Sequence, residues 1–197
     1  MERVIFLDRD GTLNEEVNYL HRKEDMKLFA GVPEAIRMLR EHGFKIVVIT
    51  NQAGVARGYY SEADVHALHA YMNEILRNQG AEIDAFFYCP HHPEHGIGEY
   101  KKACHCRKPE IGMFEQAESL FDVDKEHSWM IGDKRIDVQA GRNYGVRTVL
   151  VGTGYGKAEK NGDRYYDVYA ETLMDAAGAI IGWEDSDRES EQGNEVK

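Results

Sequence analysis

Val4-Ile5-Phe6-Leu7-Asp8-Arg9-Asp10-Gly11-Thr12 opens the chain with four apolar residues, then two carboxylates flanking one arginine. A short apolar run ended by acidic residues and a glycine reads as a buried strand leading into a turn. By the two-residue period of a strand, Asp8 and Asp10 point the same way, and Gly11 lets the chain turn sharply just beyond. Converging carboxylates repel unless a cation lies between them, and a hard, oxygen-seeking ion such as Mg²⁺ suits that place. The pair therefore reads as a reactive site.

Outward from this stretch, apolar β-rich runs alternate with helical patterns. Strands are expected over 4–7, 45–49, 85–88, 128–131 and 147–151, and helices over 33–41, 62–78, 111–121, 137–143 and 170–181. Pro33 suits a helix start, and Ser61 with Asp64 forms a cap before the stripe Val65, Leu68, Met72, Ile75 and Leu76. Such alternation implies an α/β fold with a central parallel sheet covered on both faces and ligands bound beyond the carboxyl ends of its strands.

The 197 residues suffice for one domain, expected over 1–183, with an acidic disordered tail over 184–197. A net charge of −11 argues against a nucleic-acid or anionic-membrane surface. No apolar run reaches transmembrane length and no signal peptide is recognisable, so a cytoplasmic location is expected. Cys89, Cys104 and Cys106 fall in one short stretch, which points to a metal rather than a disulfide framework.

A carboxylate nucleophile splits phosphate-ester hydrolysis into two easier steps. Asp8 would be that nucleophile, and Asp10 would protonate the leaving oxygen and then activate water. At the end of the second strand, the Thr50 hydroxyl and Asn51 amide can donate hydrogen bonds to phosphoryl oxygens. Lys108, in Arg107-Lys108-Pro109, can bridge phosphoryl oxygens and nucleophile as a point charge. Asp133, after the fourth strand, is placed as a further Mg²⁺ ligand and Asp137 as an outer or additional one; either could instead cap a helix.

In their order, Asp8-x-Asp10-Gly11-Thr12, Thr50, Lys108 and Gly132-Asp133 resemble the four motifs of the haloacid dehalogenase superfamily of phosphatases. The resemblance covers residues 3–155. It implies a Rossmann-like three-layer sandwich, Asp8 as nucleophile, Asp10 as acid/base, Thr50 and Lys108 as phosphate ligands, and Mg²⁺ on Asp8, the Asp10 carbonyl and Asp133. The intervals between motifs leave no room for the cap domain that many members carry, so the site is expected to be open.

Residues 89–106 form a second signal. Cys89-x-His91 and Cys104-x-Cys106 supply three thiolates and an imidazole, the ligand set of a closed structural Zn²⁺ site. His91 is expected to be the ligand, with His92, His95 and His105 as competing imidazoles. The loop runs straight into Arg107 and Lys108, so a clamp here would fix both cations at the rim of the site.

Two capless, zinc-loop families of this superfamily compete: the heptose 1,7-bisphosphate phosphatases and the histidinol-phosphate phosphatases. The stretch Thr50-Asn51-Gln52-Ala53-Gly54-Val55-Ala56-Arg57-Gly58-Tyr59 and the long interval from Cys89 to Cys106 resemble the heptose branch. That resemblance implies Mg²⁺-dependent hydrolysis of the C7 phosphate of a glycero-manno-heptose 1,7-bisphosphate, a small phosphorylated sugar; a monomer is expected. Arg57 and Arg107 are then candidates to grip the distal phosphate, since guanidinium forks suit phosphate oxygens. A polynucleotide 3′-phosphatase shares the motif logic, but the acidic chain lacks a basic stripe.

Overall fold

The computed structural model describes residues 1–160 and 164–194. Six parallel strands form its sheet: β1 (Val4–Leu7), β2 (Lys45–Asn51), β3 (Ala85–Cys89), β4 (Trp129–Gly132), β5 (Arg147–Val151) and β6 (Val168–Ala170). Their order is β3-β2-β1-β4-β5-β6. The chain winds outward from β1 to β3 and then returns to lay β4 on the other side of β1. The crevice for a ligand in such sheets lies at that reversal, beyond the carboxyl ends of β1 and β4.

Helices cover both faces: α1 (Val32–Glu41), α2 (Ala53–Ala56), α3 (Glu62–Arg77), α4 (Gly112–Glu118), α5 (Arg135–Tyr144), α6 (Gly156–Glu159) and α7 (Leu173–Asn194). Strand alternation divides the core between them. Ile5 and Leu7 pack with Ile36, Leu68, Met72 and Ile180 on one face, while Val4 and Phe6 pack with Phe114, Met113 and Tyr144 on the other. The sandwich expected from the motifs is thus present, and no separate cap domain interrupts it among the described residues.

Several boundaries differ from the sequence reading for local reasons. Helix α5 starts two residues before Asp137, because the Asp137 carboxylate accepts the Lys134 N–H at 3.0 Å and caps the first turn from within it. The edge strand β6, only three residues long, is too short to show a period. The acidic tail expected from residue 184 needs correction, since α7 continues to Asn194; residues 195–197 lie outside the described residues. The first residue of that stretch, Glu184, is buried and accepts a hydrogen bond from Arg3 at 3.3 Å. A buried, paired carboxylate belongs to a packed helix rather than to a solvated tail.

Candidate active site

Because every strand runs the same way, the residues that follow them gather at one edge of the sheet. Asp8 follows β1 and Asp133 follows β4, and the Asp8 N–H donates to the Ile131 carbonyl at 3.0 Å, joining the two strand ends. Lys108 reaches between them from the loop after β3. Its Nζ lies 2.7 Å from Asp8 Oδ1 and 2.7 Å from Asp137 Oδ1, and donates to the Ile49 carbonyl at 2.9 Å. Asn51 holds the Lys108 backbone from both sides, accepting its N–H at 3.0 Å and donating to its carbonyl at 3.2 Å.

Asp8, Asp133 and Asp137 are all buried, and each offers an oxygen within 4.8 Å of the others. Asp133 Oδ2 accepts the Tyr155 N–H at 2.9 Å, whereas Oδ1 is buried with no partner among the described residues. Gly11, at φ +91°, and Gly154, at φ +51°, pack so closely on this carboxyl group that a Cβ on either would overlap it. Burial, aided by the charges on Asp8 and Asp137, pushes Asp133 up to about 8. Asp8 rises to about 6, since burial and the neighbouring Asp137 and Asp10 outweigh Lys108. Lys134 adds a second positive charge near Asp133 but is itself paired with Glu16 at 2.7 Å, so the two lysines do not neutralise the three carboxylates. The surplus negative charge and the unmet acceptor fit a divalent cation with oxygen ligands.

Asp10 lies beside Asp8 but has different partners. The strand ends at Leu7, and the chain then coils so tightly that the Thr12, Leu13 and Asn14 N–H groups all donate to the Arg9 carbonyl. The Asp10 carboxylate accepts from the Arg9 guanidinium at 2.9 Å, from Asn14 at 3.0 Å and from Gln52 at 2.9 Å. Burial opposes its charge, but these donors outweigh it and hold Asp10 below the ordinary carboxylate range. The two acidic groups are thus biased in opposite directions.

Both face a cavity of about 390 Å³, also lined by Thr50, Asn51, Tyr19, Arg107, Lys134 and Tyr155. Thr50 Oγ1 accepts from Gln52 at 2.9 Å, which leaves its own hydroxyl hydrogen free to donate into the cavity. Arg107 donates to the His91 carbonyl at 3.1 Å. Arg57 does not line the cavity; its guanidinium lies 5.7 Å from the ring centroid of Tyr19, which does.

A second cluster stands where β3 ends. The Sγ atoms of Cys89 and Cys104 are 3.4 Å apart and those of Cys104 and Cys106 3.2 Å, while His91 Nδ1 lies 3.5 Å from Cys106 Sγ and 3.8 Å from Cys89 Sγ. Thiolates about 2.3 Å from a tetrahedral Zn²⁺ stand roughly 3.7 Å from each other, so the cluster needs little adjustment to hold one. The competing imidazoles are turned elsewhere: His92 Nδ1 accepts the Glu94 and His95 N–H groups, and His105 pairs with Glu115 at 2.8 Å.

Residues 105–176 match the family model described as HAD-hydrolase-like. The chain is 42% identical over 176 residues to the D-glycero-beta-D-manno-heptose-1,7-bisphosphate 7-phosphatase of Haemophilus ducreyi, covering 88% of this chain and 96% of that one. It is 44% identical over 189 residues to the D-glycero-D-manno-heptose-1,7-bisphosphate 7-phosphatase of Chlorobaculum tepidum, covering 91% and 95%. The crystal structure of the D,D-heptose 1,7-bisphosphate phosphatase of B. bronchiseptica, complexed with magnesium and phosphate, superposes with a TM-score of 0.81 at 31% identity, over 91% of this chain and 98% of that one. The chain belongs to the haloacid dehalogenase-like phosphatases, in the family of these heptose bisphosphate phosphatases.

In this phosphatase chain the cavity brings together all the motif residues expected at it apart from Arg57, with Asp133 against its carboxylate floor. It also holds groups that the sequence reading assigned no role. Lys134 pairs with Glu16 at 2.7 Å on the cavity wall, and Gln52 joins Thr50, Asp10 and Arg9. Their signal was adjacency: each stands next to a motif residue, where the backbone that positions one side chain also positions its neighbour.

Proposed function

We propose that this chain hydrolyses the C7 phosphate of D-glycero-D-manno-heptose 1,7-bisphosphate, giving heptose 1-phosphate through an aspartyl-phosphate on Asp8. The observation that carries the chemistry is the Asp8 carboxylate, bonded to the Lys108 ammonium at 2.7 Å in a cavity that Asp10 also lines. The substrate follows from near full-length likeness to phosphatases named for it.

Thr50 donates its hydroxyl to a phosphoryl oxygen, and Lys108 neutralises part of its charge. Asn51 acts mainly through Lys108, whose backbone it holds. An Asp8 oxygen attacks phosphorus, the bond from phosphorus to the C7 oxygen breaks, and Asp10 gives that oxygen a proton. Asp10 is ionised in the free protein, but an incoming phosphate anion raises its proton affinity by like-charge repulsion. Water then attacks the aspartyl-phosphate as Asp10 takes up its proton, releasing orthophosphate and restoring Asp8. Mg²⁺ on Asp8, the Asp10 carbonyl and Asp133, with Asp137 behind, would offset negative charge on the transferring phosphoryl group.

Cys89, His91, Cys104 and Cys106 are assigned to a structural Zn²⁺ that fixes the loop leading into Arg107 and Lys108. Arg107 is assigned to the distal phosphate, because it lines the cavity, and Arg57 is given at most an indirect part through Tyr19. Three cysteines with no disulfide between them suit a reducing cytoplasmic setting.

Phosphate release from the heptose bisphosphate, fructose bisphosphate and histidinol phosphate tests the assignment. A clear preference in kcat/KM for the heptose ester is expected, with loss of activity in Asp8→Asn. A preference for histidinol phosphate would overturn the substrate, and an active Asp8→Asn would overturn the mechanism.

A further inference from the structure

Arg9 stands between the two carboxylates of the opening motif, and its long cationic side chain is wholly buried. The guanidinium has one edge on Asp10: Nε donates to Oδ1 at 3.2 Å, and one terminal nitrogen donates to Oδ1 at 3.1 Å and to Oδ2 at 2.9 Å. That same nitrogen donates to Gln52 Oε1 at 3.0 Å and reaches the Leu20 carbonyl at 3.4 Å. The other terminal nitrogen faces His69 Nε2 at 3.2 Å.

His69 lies on the buried face of α3, within the stripe that otherwise holds Val65, Leu68, Met72 and Leu76. Its ring stacks on Phe86 at 4.6 Å between centroids with an interplanar angle of 18°. An apolar side chain would satisfy that packing. What an apolar side chain lacks is an acceptor. A guanidinium carries only donors and keeps its charge, so the shared hydrogen comes from Arg9 and the imidazole presents a bare Nε2 with its proton on Nδ1. Burial, followed by the Arg9 charge, keeps the ring neutral by lowering it to about 3.

We propose that His69 is a positioning residue for the reaction: by accepting from Arg9 it fixes the guanidinium plane that holds the Asp10 carboxyl group toward the leaving oxygen. Gln52, secured in turn by the Tyr60 hydroxyl at 2.7 Å, braces the same plane from the cavity side. A carboxyl group turns easily about its last torsion, so its aim depends on the rigidity of its donors. This inference rests on the acid/base assignment of Asp10.

The test compares His69→Leu, which keeps an apolar filler, with His69→Gln, which restores an acceptor. kcat/KM reports events through departure of the leaving group, and a p-nitrophenyl leaving group needs no proton. His69→Leu is expected to lower kcat/KM for the sugar phosphate about ten-fold or more, short of the roughly 10²–10⁴-fold general acid–base contribution. It should change kcat/KM for p-nitrophenyl phosphate less than about two-fold, and His69→Gln should recover most of the loss. An equal fall on both esters, or no recovery with glutamine, overturns the proposal. If His69→Leu does not fold, His69→Met carries the same comparison. Asp10→Asn is measured in parallel. If it too shows no dependence on the leaving group, the acid/base assignment itself has failed; if it does and His69→Leu does not, only the role of His69 falls.

Discussion

Replacing Lys108 with methionine asks whether one ammonium lets three carboxylates share the floor of the site. The side chain is 1% exposed, with Nζ 2.7 Å from both Asp8 and Asp137. Methionine keeps the unbranched stem and removes only the charge and its donors. Deleting one member of a buried ion pair costs about 3–5 kcal/mol. Protons relieve part of this, because Asp8 and Asp133 already sit at about 6 and about 8 and take up hydrogen ions more readily once the cation has gone. The lower end, about 3 kcal/mol, is therefore expected at pH 7, which for a chain of this length lowers Tm by roughly 6–12 °C.

Thermal melting in EDTA reads the loss directly. The deficit should shrink toward pH 5, where protons replace the missing charge, and widen toward pH 8. Added Mg²⁺ should raise Tm more in the variant than in the parent, because the ion no longer competes with a fixed ammonium for the same oxygens. Phosphate release should be lost throughout. A variant that melts with the parent at pH 8 in EDTA would show that Lys108 does not compensate these carboxylates, and the charge balance drawn for the site would be wrong.

Without metal, the unsubstituted protein should lose stability as pH rises from about 4 to about 8: Asp8 and Asp133 hold protons in the folded state that the unfolded chain has already released. Melting in EDTA at pH 5 and pH 8 checks this, and a higher Tm at pH 8 contradicts it. Cys104→Ala should abolish Zn²⁺ content by elemental analysis and lower both Tm and turnover, because the clamp leads directly into Arg107 and Lys108; full zinc content with full activity would refute the ligand set. Arg107→Ala should raise KM for the bisphosphate about ten-fold or more, as expected for a lost hydrogen bond between charged groups, with little change for a monophosphate ester. Arg57→Ala should do much less, and the reverse order would return the distal phosphate to Arg57.

Much of this site was legible because its chemistry demands particular side chains at the ends of strands. The apolar run of β1 places Asp8, and β2 and β4 deliver Thr50 and Asp133 to the same edge once the sheet is known to be parallel. The cysteine–histidine cluster was legible for a similar reason, since three cysteines and a histidine have few other uses in so short a stretch. Directions of side chains were not legible. Period-2 reasoning aligned Asp10 with Asp8, yet the turn on the Arg9 carbonyl gives each its own donors. Arg57 sits in a suggestive motif, but it faces Tyr19 rather than the cavity. The helical course of 184–194 begins with Glu184, bonded to Arg3 at a separation of 181 residues, a partner that local composition cannot reveal.

The same distinction explains why Lys108 is held so elaborately. A lysine has four soft torsions, and ordering them costs about 2 kcal/mol of side-chain entropy before any ion pair forms. A surface loop would leave that cost unmet, and the ammonium would sample water rather than the phosphoryl site. Here the backbone of Lys108 is gripped on both sides by Asn51 at the end of β2, its neighbour Arg107 is tied to the His91 carbonyl, and the cysteine–histidine cluster closes the loop two residues before. The ammonium then needs to find only Asp8 on one side and Asp137 on the other, both already fixed by β1 and α5. Rigidity in the loop is thus what turns a mobile cation into a permanent part of the site, and a defect in the cysteine cluster should reach the chemistry through Lys108 although no residue of the cluster lines the cavity.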